Sequence, residues 1–231
     1  FLFYRHQQRQ KAAANAERIK EQEARINAVF QAQEEERRRI AKELHDGIGQ
    51  TLGAIRMNYQ GLSQKIDNNS LLPEFQKVET MLNNASAEVR SISHQMISKE
   101  LEQFGLVPAV EGMLNLHFEH SPLKIQFEHS GFSERIGAKI ELALFRVLQE
   151  LISNVIKHSR ARQVSVQLIK LNSHVVLNVS DDGVGFNAEG LEKSGIGLLN
   201  MASRIDAIKG HLHFDSEPGK GTTVTIRTPI A

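Results

Sequence analysis

Cysteine is absent from this 231-residue chain, which excludes disulfides, iron–sulfur clusters and thiolate zinc sites and fits a reducing cytoplasm. Net charge is nearly absent as well. With 28 basic and 27 acidic residues the balance is +1, so no global field favours nucleic acid or an acidic surface, and direct DNA binding is not expected. A long apolar run is missing too: Phe1-Leu2-Phe3-Tyr4, flanked by the basic stretch Arg5 to Lys11, falls far short of the ~20 residues a membrane span needs. Because basic residues favour the cytoplasmic side of a span, the stub reads either as the end of a preceding membrane segment or as the frayed start of a long helix.

What is present divides in two. The chain is 40% hydrophobic, enough for one large domain or two small ones. Up to about residue 100 it is Gln/Glu/Arg/Ala-rich and heptad-patterned; beyond that, helical runs alternate with β-branched strands and most of the glycines appear. Seam positions at Ile26, Phe30, Gln33, Arg37, Ile40, Leu44, Gly47, Thr51, Ala54, Asn58 and Leu62 predict one helix from about residue 11 to Asn68, which would reach about 85 Å and needs a packing partner. Asp67 to Ser70 reads as a turn. A second helix follows Pro73 with apolar positions Phe75, Val78, Leu82, Ala85, Val89, Ile92 and Met96, so a helical hairpin is expected, and two hairpins in a homodimer would close a four-helix bundle.

Lys99 to Pro108 breaks the heptad and reads as a hinge, followed by a short apolar helix around Val110 to Glu119. Strands are expected at Lys124–Glu128, Gln163–Lys170, His174–Ser180, His211–Asp215 and Thr222–Thr228, with Asn172-Ser173 as a hairpin turn, and helices at Glu134–His158 and Leu198–Ile208. That pattern predicts an α/β sandwich with helices on one face of a mixed sheet.

The chemistry concentrates in a few places. Within Glu36 to Gln50, His45 and Asp46 are adjacent on a strongly helical stretch, with His45 on the flank of the seam. Gly47 and Gly49 cost this helix roughly 1 kcal/mol each relative to alanine, which leaves room for something bulky to approach. A lone histidine here would ordinarily be a surface residue, but motifs downstream change its weight. Glu150, Asn154 and Lys157 or His158 share a helix face, where one amide oxygen and phosphate oxygens would suit Mg²⁺. Asp181 ends an apolar strand before Asp182-Gly183-Val184-Gly185, where a carboxylate can accept a hydrogen bond from an amino group and glycines let backbone pass close to a base. Gly195 and Gly197 precede a helix at Leu198, whose free N–H groups favour phosphate.

Taken in order, His45-Asp46-Gly47-Ile48-Gly49-Gln50, Glu150 to Asn154 with Lys157-His158, Asp181 to Phe186, and Gly195-Ile196-Gly197-Leu198 closely resemble the sensor histidine kinases of the DesK/NarX type. The likeness runs over about residues 34–230. It implies a signalling helix at 1–33, a dimerisation and histidine phosphotransfer domain at 34–98, a hinge at 99–109 and an ATP-binding domain of the GHKL, or Bergerat, fold at 110–231, all as the cytoplasmic region of an inner-membrane sensor. It further implies that His45 takes the phosphoryl group from ATP and passes it to an aspartate of a response regulator of the NarL/FixJ type, with Asp46 orienting the imidazole. Asp46 and Gln50 match the pattern linked to regulator dephosphorylation.

By the same resemblance Asn154 binds magnesium, Glu150 polarises its water, Lys157 and His158 face the phosphates, and Asp181 meets the adenine amino group. Residues 187–194 look like a short lid, and Thr222 stands beside the nucleotide, although a plain hairpin turn fits Thr222 as well. Two other classes stay open: an ATPase clamp or serine kinase in which His45 is not phosphorylated, and a coiled-coil dimeriser without catalysis.

Overall fold

The structure is a computed structural model that describes residues 2–64, 71–96, 99–118, 121–187 and 196–230. Two compact units are present, residues 31–99 and residues 100–231 together with 1–30.

The helical unit takes the end of α1 (Leu2–Glu43) from residue 31, which runs into a π-helical turn at Leu44–Gly49, then α2 (Gln50–Ser63) and α3 (Leu72–Met96). Arg39 donates to Glu36 and Glu43, each at 2.6 Å, the i,i+3 and i,i+4 pairing that supports an exposed helix by a few tenths of a kcal/mol. The unbroken helix expected through His45 is corrected by the π turn. Such a turn inserts one extra residue and so advances everything after it by one position. The expected seam at Thr51, Ala54, Asn58 and Leu62 is exposed, whereas Leu52, Tyr59 and Ser63, each one position later, are half-buried. Tyr59 stacks on Phe75 with ring centroids 5.4 Å apart and donates its hydroxyl proton to the Phe75 carbonyl at 2.5 Å. Near the other end of the hairpin, the Ser93 hydroxyl donates to the Ala41 carbonyl at 3.0 Å. The expected turn at residues 67–70 lies outside the described residues.

The second unit carries α4 (Lys99–Phe104, its first residue at the boundary), α5 (Leu106–Phe118), β1 (Lys124–Ser130), α6 (Ala138–Asn154) continued by a π-helical turn at Val155–Ser159, β2 (Gln163–Lys170), β3 (His174–Asp181), α7 (Ile196–Asp206), β4 (His211–Glu217) and β5 (Gly221–Pro229). The sheet order is β1-β2-β3-β5-β4, with β1 and β2 parallel and the remaining pairs antiparallel. Strict alternation puts Val164, Val166 and Leu168 of β2, Val175, Leu177 and Val179 of β3, and Val224 and Ile226 of β5 in one core with Leu144, Leu148 and Ile152 of α6 and Ile205 of α7. The other sheet face carries polar pairs, Asn178 with Thr225 and Ser180 with Thr223. This is the expected two-layer sandwich.

Two boundaries differ from the expectation. The segment read as a hinge packs into this unit, with Leu101, Leu106 and Ala109 buried. Helix α6 begins at Ala138 rather than Glu134, after Gly137 at φ 102°. The residues just before it hold α4 and α6 together instead. Arg135 donates to the buried Glu141 carboxylate at 2.5 and 2.8 Å and to the α4 carbonyl of Leu101 at 3.0 Å. Gly105, at φ 91°, makes this possible, because a Cβ there would stand 2.8 Å from Arg135 Cδ.

Candidate functional site

Two constellations carry the chemistry, one in each unit. In the helical unit the π turn presents His45 and Asp46 on an exposed surface, with side-chain exposures of 66% and 50%. His45 Nδ1 and Asp46 Oδ1 are 2.9 Å apart. In the neutral tautomer that donates from Nδ1 to this carboxylate, Nε2 keeps its lone pair, and Nε2 has no partner among the described residues. A Cβ added to Gly47 would meet nothing within 4 Å, and the Gly47 carbonyl is taken by the Thr51 hydroxyl at 2.9 Å. The space beside Gly47 is open, whereas a Cβ on Gly49 would stand 3.5 Å from the Leu44 carbonyl oxygen. Gln50 follows as the first residue of α2, exposed.

In the second unit a cavity of about 390 Å³ is lined by Glu150, Asn154 and His158 along one edge, by Asp181 and Thr222 at the adjoining strand ends, and by Gly185, Gly197 and Leu198. Its apolar walls are Val179, Phe186, Phe214 and Val224 with Leu151 and Val155. The i, i+4 spacing of Glu150 and Asn154 explains why these two share the edge, and His158 joins them from the π-helical turn that continues α6. Lys157, one position off that row, is exposed and does not line the cavity. Glu150 reaches the start of α7, since a Cβ on Gly197 would fall 2.7 Å from its Oε1. Gly195 and residues 188–194 of the expected lid lie outside the described residues.

The adjacent carboxylates Asp181 and Asp182 have opposite environments. Burial raises the Asp181 pKa above the ordinary carboxylate value; the neighbouring Asp182 charge adds to the rise, and the Gly183 N–H at 2.9 Å partly offsets it. Asp182 is held below that value by the N–H groups of Gln163 at 2.9 Å and Arg162 at 2.7 Å, and so secures the start of β2. Only Asp181 lines the cavity. Gly183 and Gly185 were expected to admit a base; Gly185 lines the cavity and Gly183 does not, and the missing Cβ of each admits protein backbone. A Cβ on Gly183 would stand 2.3 Å from the Ser159 carbonyl oxygen, and one on Gly185 2.0 Å from that of Glu217.

Sequence reasoning passed over the aromatic walls Phe186 and Phe214, and also Ser216. Phe214 sits in an alternating strand, where the outline of a cavity leaves no mark. Ser216 falls at the end of β4 before a Glu-Pro-Gly turn, and a serine before a turn carries no signal of its own. No cluster of three or more metal-ligating side chains exists among the described residues. One amide and one carboxylate on a helix face fit an ion held chiefly by substrate phosphates and water.

The α/β unit thus holds a half-buried carboxylate in an apolar cleft beside the start of α7, and the helical unit holds an exposed imidazole paired with an acid. The family described as "Histidine kinase" matches residues 36–101, and that described as "Histidine kinase-, DNA gyrase B-, and HSP90-like ATPase" matches residues 139–231. The chain belongs to the sensor histidine kinases of the DesK/NarX type, with an ATP-binding domain of the GHKL fold. It is similar to the signal transduction histidine-protein kinase/phosphatase DegS of Brevibacillus brevis, 31% identical over 87% of this chain and 53% of that protein. It is also similar to the sensor histidine kinase MctS of Rhizobium johnstonii, 36% identical over 87% of this chain and 44% of that one, and to the oxygen sensor histidine kinase NreB of Staphylococcus carnosus, 30% identical over 89% and 59%. The chain spans about half the length of these relatives. Among the described residues no helix is long and apolar enough to cross a membrane.

Proposed function

We propose that this chain phosphorylates itself on His45 from ATP, passes the phosphoryl group to an aspartate of a response regulator of the NarL/FixJ type, and removes it again with the help of Gln50. The exposed His45 ring, tied through Nδ1 to Asp46 at 2.9 Å, is the observation that carries this reading. The bond holds the proton on Nδ1 and leaves the Nε2 lone pair to attack the γ-phosphorus. As the N–P bond forms, the bond from phosphorus to the bridging oxygen breaks and ADP leaves with the electron pair. Asp46 then faces a positively charged ring, which it stabilises.

The cavity residues position the nucleotide. Asp181 accepts from the adenine amino group, Thr222 stands beside it, and Phe186 and Phe214 supply apolar walls for the base. His158 and the start of α7 at Gly197 and Leu198 face the phosphates. Asn154 would hold Mg²⁺ through its amide oxygen, with Glu150 on a metal-bound water; the ion supplies charge neutralisation on the transferring phosphoryl oxygens. Lys157, exposed beside this edge, contributes at most long-range charge.

A homodimer completes the helical unit. Ile48, Ile55 and Leu62, spaced by seven, are 49%, 46% and 59% exposed, and Val78, Met81 and Ile92 of α3 are exposed as well, an apolar stripe suited to a second hairpin. We assign residues 34–98 to dimerisation and phosphotransfer and 110–231 to ATP binding.

Incubation with γ-labelled ATP tests the reading. The label should be acid-labile and base-stable, as expected of phosphohistidine, and absent from His45→Gln, while ATP affinity stays within about twofold because Nε2 makes no ground-state contact with the nucleotide. Acid-labile label persisting in His45→Gln would overturn the assignment.

A further inference from the structure

Ser216 is 8% exposed, and its hydroxyl has three neighbours. The Phe186 N–H donates to it at 2.9 Å, it donates to the Gly221 carbonyl at 3.0 Å, and Thr222 Oγ1 stands 3.0 Å away. A serine hydroxyl has one proton and two lone pairs. Once the proton goes to Gly221 and one lone pair to Phe186, Ser216 can only accept from Thr222. The single Thr222 proton is thereby committed to Ser216, and Thr222, which lines the cavity, offers it lone pairs alone. Thr222 is the register partner of Asp181 across β3 and β5. Two acceptors therefore stand together at the same edge of the cavity.

We propose that Ser216 is a positioning residue that fixes Thr222 as a hydrogen-bond acceptor and so makes the cavity select a base bearing an exocyclic amino group. The same hydroxyl anchors Phe186, tying the base's apolar wall to this polar edge. The proposal rests on the reading of the cavity as a nucleotide site. An amino group has two hydrogens, one for Asp181 and one for Thr222. Without Ser216, the Thr222 hydroxyl turns freely and its proton can point at the amino group, where it repels.

The test compares binding of Mg-ATP with Mg-purine riboside triphosphate, which lacks the 6-amino group, to the full chain. Ser216→Ala should lower the preference for ATP about three- to tenfold, the equivalent of one neutral hydrogen bond, with little change for the other nucleotide. Thr222→Val should lower the preference similarly, and adding Ser216→Ala to it should lower it no further. Ser216→Thr keeps the hydroxyl and should keep the preference, which covers the case in which the alanine variant fails to fold. Equal weakening of both nucleotides in Ser216→Ala, a further fall in the double variant, or loss of the preference in Ser216→Thr would overturn the proposal. If the unaltered chain binds neither nucleotide, the nucleotide reading itself is wrong and this proposal falls with it.

Discussion

Between residues 31 and 99 Ala41 is the one fully buried apolar side chain among those described, while Ile48, Ile55, Leu62 and Met81 stand exposed; between 100 and 230 one continuous core runs from Leu101 to Ile226. The α/β unit closes its core within a single chain. The hairpin cannot, since two helices have room to bury only one stripe each and its second stripe faces outward. The two candidate sites follow the same division. His45 stands on an open turn where a large partner can reach it, whereas Asp181 sits half-buried among apolar walls that shift its pKa. On the function proposed above, a nucleophile that meets two different phosphoryl partners needs the first environment, and a base-reading carboxylate gains strength from the second.

The sharpest way to break this contrast is Ile55→Glu. A buried isoleucine is worth about 2 kcal/mol and a twofold interface loses it twice, so self-association should weaken by at least about a hundredfold. Sedimentation measures this directly, and ATP affinity of the α/β unit should not change. Undiminished self-association would place the interface elsewhere on the hairpin.

Arg135→Ala probes the opposite claim, that the α/β unit is self-contained. Glu141 is 1% exposed, and removing its guanidinium leaves a buried carboxylate with a single backbone N–H, from Ile136 at 3.3 Å. Stranding a buried charge costs about 3 kcal/mol. Thermal unfolding of the α/β unit should move down by many degrees without altering self-association. A change below about 1 kcal/mol would mean that water reaches the carboxylate and takes over from Arg135.

Asp181→Asn should weaken ATP binding by about 1.5 to 3 kcal/mol, with an opposite, smaller effect on the unliganded protein. Because the folded pKa of Asp181 is raised, its contribution to stability is present below the unfolded pKa and lost as pH rises through the folded one. At neutral pH the buried carboxylate therefore costs stability. The asparagine variant should melt slightly higher than the unaltered chain near pH 7, with the gap closing on acidification into the ordinary carboxylate range. ATP binding by the unaltered chain should begin to fall at a pH above that range. Calorimetric titration across pH checks both, and identical ATP affinities would move the adenine contact to another group.

Much of this was legible in the sequence, for reasons that differ along the chain. Period-two alternation of β-branched residues gave β2 with its bounds intact, because a strand with one face on a core has only one register that buries Val164, Val166 and Leu168 together. That Glu150 and Asn154 share one face of α6 was legible from helix spacing, whereas the choice between Lys157 and His158 was not, because a π turn separates them from that row. The hairpin's register after His45 was not. A π turn is a choice between hydrogen-bond rings of similar energy, and the same heptad pattern fits either side of it, so the one-residue advance to Leu52 and Tyr59 leaves no compositional trace. Arg135 was hidden for a related reason: Glu134 to Gly137 is compatible with a helix start, and only the tertiary contact with Glu141 and the Leu101 carbonyl pulls it out. Ser216 depends on Phe186, thirty residues earlier, as well as on Gly221 and Thr222 across the β4–β5 turn, a combination that no local pattern encodes.

Gln50→Ala should change the structure least. Gln50 is exposed at the first position of α2, and alanine favours a helix slightly, so stability should stay within about 0.5 kcal/mol. In the proposed mechanism, attack by His45 requires the Nε2 lone pair and the Asp46 hydrogen bond, and neither involves Gln50. Hydrolysis of a regulator's phosphoaspartate requires a positioned water, for which an amide supplies both a donor and an acceptor. Autophosphorylation and transfer should therefore proceed at near-normal rates in this variant while dephosphorylation of the regulator falls by about tenfold or more. Time courses of labelled kinase and labelled regulator separate the two, and a matched loss in both would show that Gln50 acts by shaping the π turn around His45 rather than by holding water.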